Sequence, residues 1–242
     1  MNRLLKAEWY RMTKLMRFWL MVLVLILFGA VVPFINKPAN AGEYLMIAGS
    51  DSAMLMIVFV AMISSVLTAI VFGNRTVYYE VMSGKRPMKI IISKCLVIGG
   101  TITGIMCLGY LVAVAIFGSI KGYGEMTNVY TRLLIFFVVI LHSSIVGVLI
   151  VTTFRSAIGA AFCYLRFMIV DTVICSIAEF VFQDSPSKMM KVYRWTLMGE
   201  PMEIFAGKIS GGMICAIILS FAVEVLLWGG LSYIFMKKRL YK

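Results

Sequence analysis

The sequence predicts an all-α membrane protein with six transmembrane helices, an N-terminal interfacial helix and both termini in the cytoplasm. Three observations predict it. Hydrophobic residues fill 62% of the 242 positions, against about half in an ordinary soluble domain. Six apolar runs approach the roughly 20 helical residues that cross a hydrocarbon core. The basic residues then fall on alternate sides of those runs, which fixes orientation. Helices are expected because lipid offers backbone groups no partner, and continuous apolar runs do not suit a barrel.

Residues 1–17 come first. Leu5, Trp9, Met12 and Met16 fall at helical spacing on one stripe, with Lys6, Lys14 and Arg17 off it. A basic helix with Trp on its apolar face suits the membrane interface; a positive flank that only sets topology is the plainer alternative. The spans are expected at 18–35, 53–72, 95–117, 132–153, 157–182 and 212–236. The first exceeds a signal-peptide core and has no convincing cleavage site after it, so it reads as an uncleaved span.

The net charge of +12 raises the question of nucleic acid, but its distribution answers otherwise. Arg3, Lys6, Arg11, Lys14 and Arg17 precede span one. Arg75, Lys85, Arg86, Lys89 and Lys94 crowd the loop after span two, Arg155 follows span four, and Lys237, Lys238, Arg239 and Lys242 close the chain. The other side is nearly balanced. The excess therefore reports topology, with anionic membrane lipid as its ordinary partner and no nucleic acid. No stretch outside the spans is long enough to bury a core of its own, so residues 1–242 read as one membrane domain.

Residues 73–94 form the main cytoplasmic loop. Thr76 to Met82 is expected as a short helix capped by Asn74 or Thr76 and stopped by Gly84. It would present Tyr78, Tyr79 and Glu80 outside the membrane, as protein interfaces do; a solvated basic loop holding topology fits equally well. Segment 183–211 is external by the same charge logic. With Tyr193, Trp195, Met198 and Phe205 it is too apolar to be fully solvated, so it is expected on or partly in the membrane, broken by Pro186 and Pro201.

No phosphate-binding loop occurs, because Ile105 stands where its lysine should be. Neither HExxH nor GxSxG is present, and His142 is the lone histidine. Catalytic residues, metal ligands and a cofactor on this chain are therefore not expected. The five cysteines lie in or beside spans without a CxxC and read as small apolar side chains. Gly100 and Gly104 have the spacing that lets a neighbouring helix approach.

Charged groups inside the spans are costly and should face protein or water. They are His142, Arg166, Asp171, Glu179 and Glu224. Arg166 and Asp171 are five apart, about 140° around an α-helix, so no direct pairing is expected. An Arg166–Glu224 contact, or an Asp171 that reaches a second copy, is the expectation. These groups either line a path for a cationic substrate or lock spans five and six. Glu179 lies near the external end. For His142 an interhelical hydrogen bond is expected ahead of a proton relay.

A resemblance bears on the cytoplasmic loop. Glu80, Gly84, Arg86, Ile90 to Ile92 and Lys94 resemble the first cytoplasmic loop of ABC-2 type transporter permeases. The N-terminal LLKAEWYRMTKLMRFW, with Leu4, Leu5, Ala7, Glu8, Arg11 and Lys14, is similar to the same family's first helix. Family members often carry a small residue where Lys85 stands. The resemblance implies that Tyr78, Tyr79, Glu80, Gly84, Lys85, Arg86 and Lys94 couple the chain to an ABC-type ATPase. It implies two ATPase copies holding ATP and Mg, a second identical or similar permease, and a bacterial plasma membrane. The small size is similar to permeases that export antimicrobial peptides or other amphiphiles. From the residues alone, an ion-driven transporter using Asp171, Glu179 and Glu224, or a membrane adaptor, stays open.

Overall fold

The computed structural model describes residues 2–27, 35, 37–49, 51–73, 84–183, 185–193, 195–197, 199–206 and 209–240. Among these residues there are helices and no strands. The helices are α1 (Asn2–Lys14), α2 (Met16–Ile26), α3 (Ala41–Gly49), α4 (Asp51–Gly73), α5 (Pro87–Lys121) and α6 (Val129–Phe154). The segments Ala157–Leu165, Arg166–Asp171 and Thr172–Val181 run on as one helix, α7. They are followed by α8 (Pro186–Tyr193), α9 (Glu200–Ala206) and α10 (Gly211–Leu240).

Four of these helices, α5, α6, α7 and α10, are long and apolar enough to cross a membrane. Two shorter apolar helices, Met16–Ile26 and Met56–Phe72, occupy the places of the first two expected spans. The third expected span is longer than read. It begins at Pro87, whose fixed φ suits the first helical turn, and its 35 residues extend about 52 Å, well beyond a core of about 30 Å. The second half of the loop expected on the cytoplasmic side is thus helix. Its expected first half, Thr76–Met82, lies outside the described residues.

Helix α6 is the axis, and α4, α5, α7 and α10 all pack against it. Small and hydroxyl residues let them approach. A Cβ on Gly147 would stand 2.5 Å from the Ala61 carbonyl oxygen, so α4 and α6 touch backbone to backbone only because that position is glycine. Ser64 and Ser144 share a hydrogen bond of 2.6 Å across the same crossing. Thr153 and Ser232 share one of 2.8 Å between α6 and α10. Such bonds link helices where no hydrophobic gain does, because lipid is as apolar as the interface. Gly100 and Gly104 do not serve this purpose: a Cβ on either would meet nothing within 4 Å.

Two π-helical turns interrupt long helices, Cys95–Gly99 in α5 and Arg166–Asp171 in α7. Such turns widen the ring to i→i+5 and re-aim side chains, often at functional positions. At the first, the Gly99 carbonyl accepts from Ser144 at 3.4 Å.

The two ends of the bundle differ. One end carries α1, the start of α5 and the end of α10; we call it the basic end. At the opposite end α3 replaces what reads as a loop. Asn40 accepts from the Glu43 amide at 2.8 Å, and Glu43 reaches back to the Ala39 amide at 2.6 Å, a reciprocal cap that starts the helix. The turn after α5 is tied to it, the Ala41 amide donating to Gly122 at 3.0 Å.

Of the expected N-terminal stripe, Met12 is buried while Trp9 and Met16 are exposed, as a face laid on a membrane interface would be. Leu4, Glu8 and Met12 point inward, while Trp9, Tyr10 and Met16 are exposed. The inward face carries a charge.

Candidate functional site

That charge is Glu8. Its Oε1 lies 2.7 Å from Lys94 Nζ, with both side chains buried. Arg11, one turn along α1, stands 3.6 Å from the same oxygen, and the Phe72 ring faces the ammonium with its centroid 5.5 Å away. Lys94 emerges from the turn of α5 just before its π-helical segment, so α1 is pinned to α5 through one closed pair. Lys94 was expected among the coupling residues; it is fully buried and touches Glu8, so any effect on a partner runs through the helices it holds together.

The other loop residues are placed unevenly. Gly84 has φ +76°, a left-handed turn that favours glycine, and Arg86 is the exposed N-cap of α5. Lys85 between them is half-buried. Tyr78, Tyr79 and Glu80 lie outside the described residues.

A second cluster forms at mid-height between α6, α7 and α10. The guanidinium of Arg166 donates from Nη1 to Asp171 and from Nη2 to Glu224. The Glu224 contact agrees with expectation. The Asp171 contact corrects the helical-wheel argument, because the segment between them is π-helix: i→i+5 winding places Asp171 over Arg166 instead of about 140° away. Asp171 is thereby buried inside the chain, which also corrects the expectation that it reaches a second copy. His142 on α6 is fully buried, its Nε2 3.6 Å from Glu224 Oε2 and its ring tilted 41° to the Phe221 ring, with centroids 4.9 Å apart. That is contact across the helices, but longer than a hydrogen bond.

Segment 183–211 completes the cluster. Pro186 opens α8 and Pro201 stands in the first turn of α9, as proline does at helix starts. The two short helices fold back into the bundle. Exposed Glu179 on α7 accepts from Tyr193, and burial together with that carboxylate pushes the Tyr193 phenol upward. Thr196 meets Cys175 at 3.5 Å, Arg132 on α6 donates to the Ile204 carbonyl, and the Phe205 ring lies 5.2 Å from Phe136. Phe136 is seven residues into α6, roughly 10 Å below its start.

Helix α9 carries a carboxylate that the sequence reading missed. Glu200 is fully buried, and neither oxygen receives a hydrogen bond in good geometry among the described residues; Ser220 of α10 is a neighbouring hydroxyl. Burial, then the nearby Glu224 and Asp171 charges and Glu203, push Glu200 well above the usual carboxylate range. Nothing in the motif EPMEIF distinguishes its first Glu from a solvated helix-starting acid; only the fold-back does.

One guanidinium therefore faces two carboxylates, with a third carboxyl close by. Asp171 Oδ2, Glu224 Oε2 and both ring nitrogens of His142 have no hydrogen-bond partner among the described residues. Arg166 and Glu224 are slightly open, at 18% and 19% of their side-chain surface. Chemically, such a place can take a proton or the cationic group of a ligand. No group of three His, Cys, Asp or Glu among the described residues is arranged to hold a metal. No family model, curated protein or solved structure matches the chain.

Proposed function

We propose that this chain is the membrane-spanning permease subunit of an ATP-driven exporter of the ABC-2 type. It moves an amphiphilic substrate, such as an antimicrobial peptide or a lipid-like compound, and is powered by a separate ATPase present in two copies. In this reading six helices span a bacterial plasma membrane, with α2 and α4 as the first two, both termini are cytoplasmic, and a second identical or similar permease completes the pair. Nucleotide closes the ATPases, and the loop ending at Arg86 passes that motion to α5.

The observation that carries the reading is the buried Glu8–Lys94 pair. It joins the two stretches that resemble the family, the N-terminal helix and the end of the cytoplasmic loop. A push on the loop then reaches α1 and α5 together, because separating the pair would strand a buried charge.

The acidic excess around Arg166 favours a second reading, an ion-driven transporter in which Asp171 and Glu224 take and release the ion. Purification of the tagged chain from its host in mild detergent separates the two. A stoichiometric ABC-type ATPase, lost when Glu80 and Arg86 are both replaced, is the expected result. A chain that purifies alone in several detergents and transports without ATP overturns it in favour of the second.

A further inference from the structure

A groove of about 930 Å³ opens at the basic end between the start of α5 and the end of α10. Its floor is apolar: Met88, Ile92 and Leu96 on α5 face Leu226, Gly230 and Tyr233 on α10. Gly229 and Gly230 create the hollow, since a Cβ on either would meet nothing within 4 Å. Among the described residues, Arg86 and Lys237 are the charged ones that line it. Both are exposed, and the rim also holds the N-terminus of a helix 35 residues long, whose dipole favours an anion.

The dimensions matter as much as the chemistry. From Arg86 to Leu96 is about 15 Å along α5, and from Lys237 to Val225 about 18 Å along α10. One leaflet of a core about 30 Å thick is about 15 Å deep. The groove therefore starts at a cationic rim and ends near the bilayer middle, which is the reach of one leaflet's acyl chain.

We propose that this groove is a binding site for an anionic phospholipid of the leaflet at the basic end. Its phosphate lies between Arg86 and Lys237, and an acyl chain lies along Ile92, Leu96 and Gly230. A second copy of the chain would be expected to answer two cations with carboxylates, and its helices would leave the depth match to one leaflet unexplained. The proposal needs only that the chain is embedded in a bilayer.

The test is native mass spectrometry of the purified chain with phosphatidylglycerol or phosphatidylcholine of identical acyl chains. No nucleotide or other subunit is present, so the outcome stands apart from the exporter reading. The expected result is one retained phosphatidylglycerol per chain, preferred by roughly 10- to 30-fold from two basic groups at the membrane surface. Arg86→Gln with Lys237→Gln should remove the preference. Gly230→Leu, which adds bulk into open space, should abolish retention of either lipid while the chain keeps its thermal midpoint. Equal retention of the two lipids, or unchanged binding in either variant, overturns the proposal. So does a Leu226→Cys cross-link between copies that displaces the lipid, because the groove is then an interface.

Discussion

Two of the places where the described residues bury charge are built on opposite plans. At the basic end the buried Glu8 meets the buried Lys94, with the half-buried Arg11 at the same oxygen and no acid to spare. At mid-height one arginine meets two carboxylates, with Glu200 near them, spare oxygens left over and partial access. A closed pair has only one stable arrangement, so it fixes position. A cluster with more acid than base has several proton and partner states close in energy. The first can transmit a motion; the second can respond to a ligand or to pH.

The sharpest way to break this comparison is to open the closed pair. Lys94→Ala or Glu8→Ala should each cost roughly 3–5 kcal/mol, the usual penalty of stranding a buried charge. Replacing both by apolar residues of similar volume, Glu8→Leu with Lys94→Met, should recover most of it. Thermal unfolding in detergent reads both. Equal, small losses for the singles and the double would show that α1 is not pinned there.

A smaller effect is expected at the open cluster. Arg166→Gln leaves Asp171 and Glu224 facing each other, and should lower the folded yield by less than the Lys94 change, because water already reaches the site. Adding Glu224→Gln should restore it. Arg166→Lys should rescue only in part, since an ammonium lacks the planar fork that bridges two carboxylates.

The smallest effect is one of pH. Glu200 is held well above the carboxylate's ordinary 4.5 by burial and by Glu224 and Asp171. The folded chain therefore holds a proton that the unfolded chain releases near 4.5. Stability from this group is complete below that value and is lost as pH rises toward the raised one. Glu200→Gln lacks the proton, so its melting midpoint relative to the parent should climb between pH 5 and pH 8. A constant difference across that window would place Glu200 in water.

Much of the fold was legible in advance, for a reason that particular residues show. Apolar run lengths and the sides on which Arg155 and Lys237 fall depend only on the chain and the bilayer, so the long helices were expected close to where they stand. The helices Ala41–Gly49 and Glu200–Ala206 were not legible in advance because they are short and gain stability from packing. Ala41–Gly49 needs the Asn40 cap and the Gly122 carbonyl, and Glu200–Ala206 needs α6 to bury Ile204 and Phe205.

By itself, then, the sequence determined a helical membrane class, a charge asymmetry between the ends, and a set of intramembrane groups that had to find partners. Which partners they found was decided only by tertiary structure. A wheel of 3.6 residues separates Arg166 from Asp171, and the π-turn that unites them is visible only once α7 is built. The same holds for Glu8 and Lys94, 86 residues apart, and for Glu200. Local periodicity records which faces are apolar, whereas the pairing of buried charges is a long-range choice made when helices pack and water leaves.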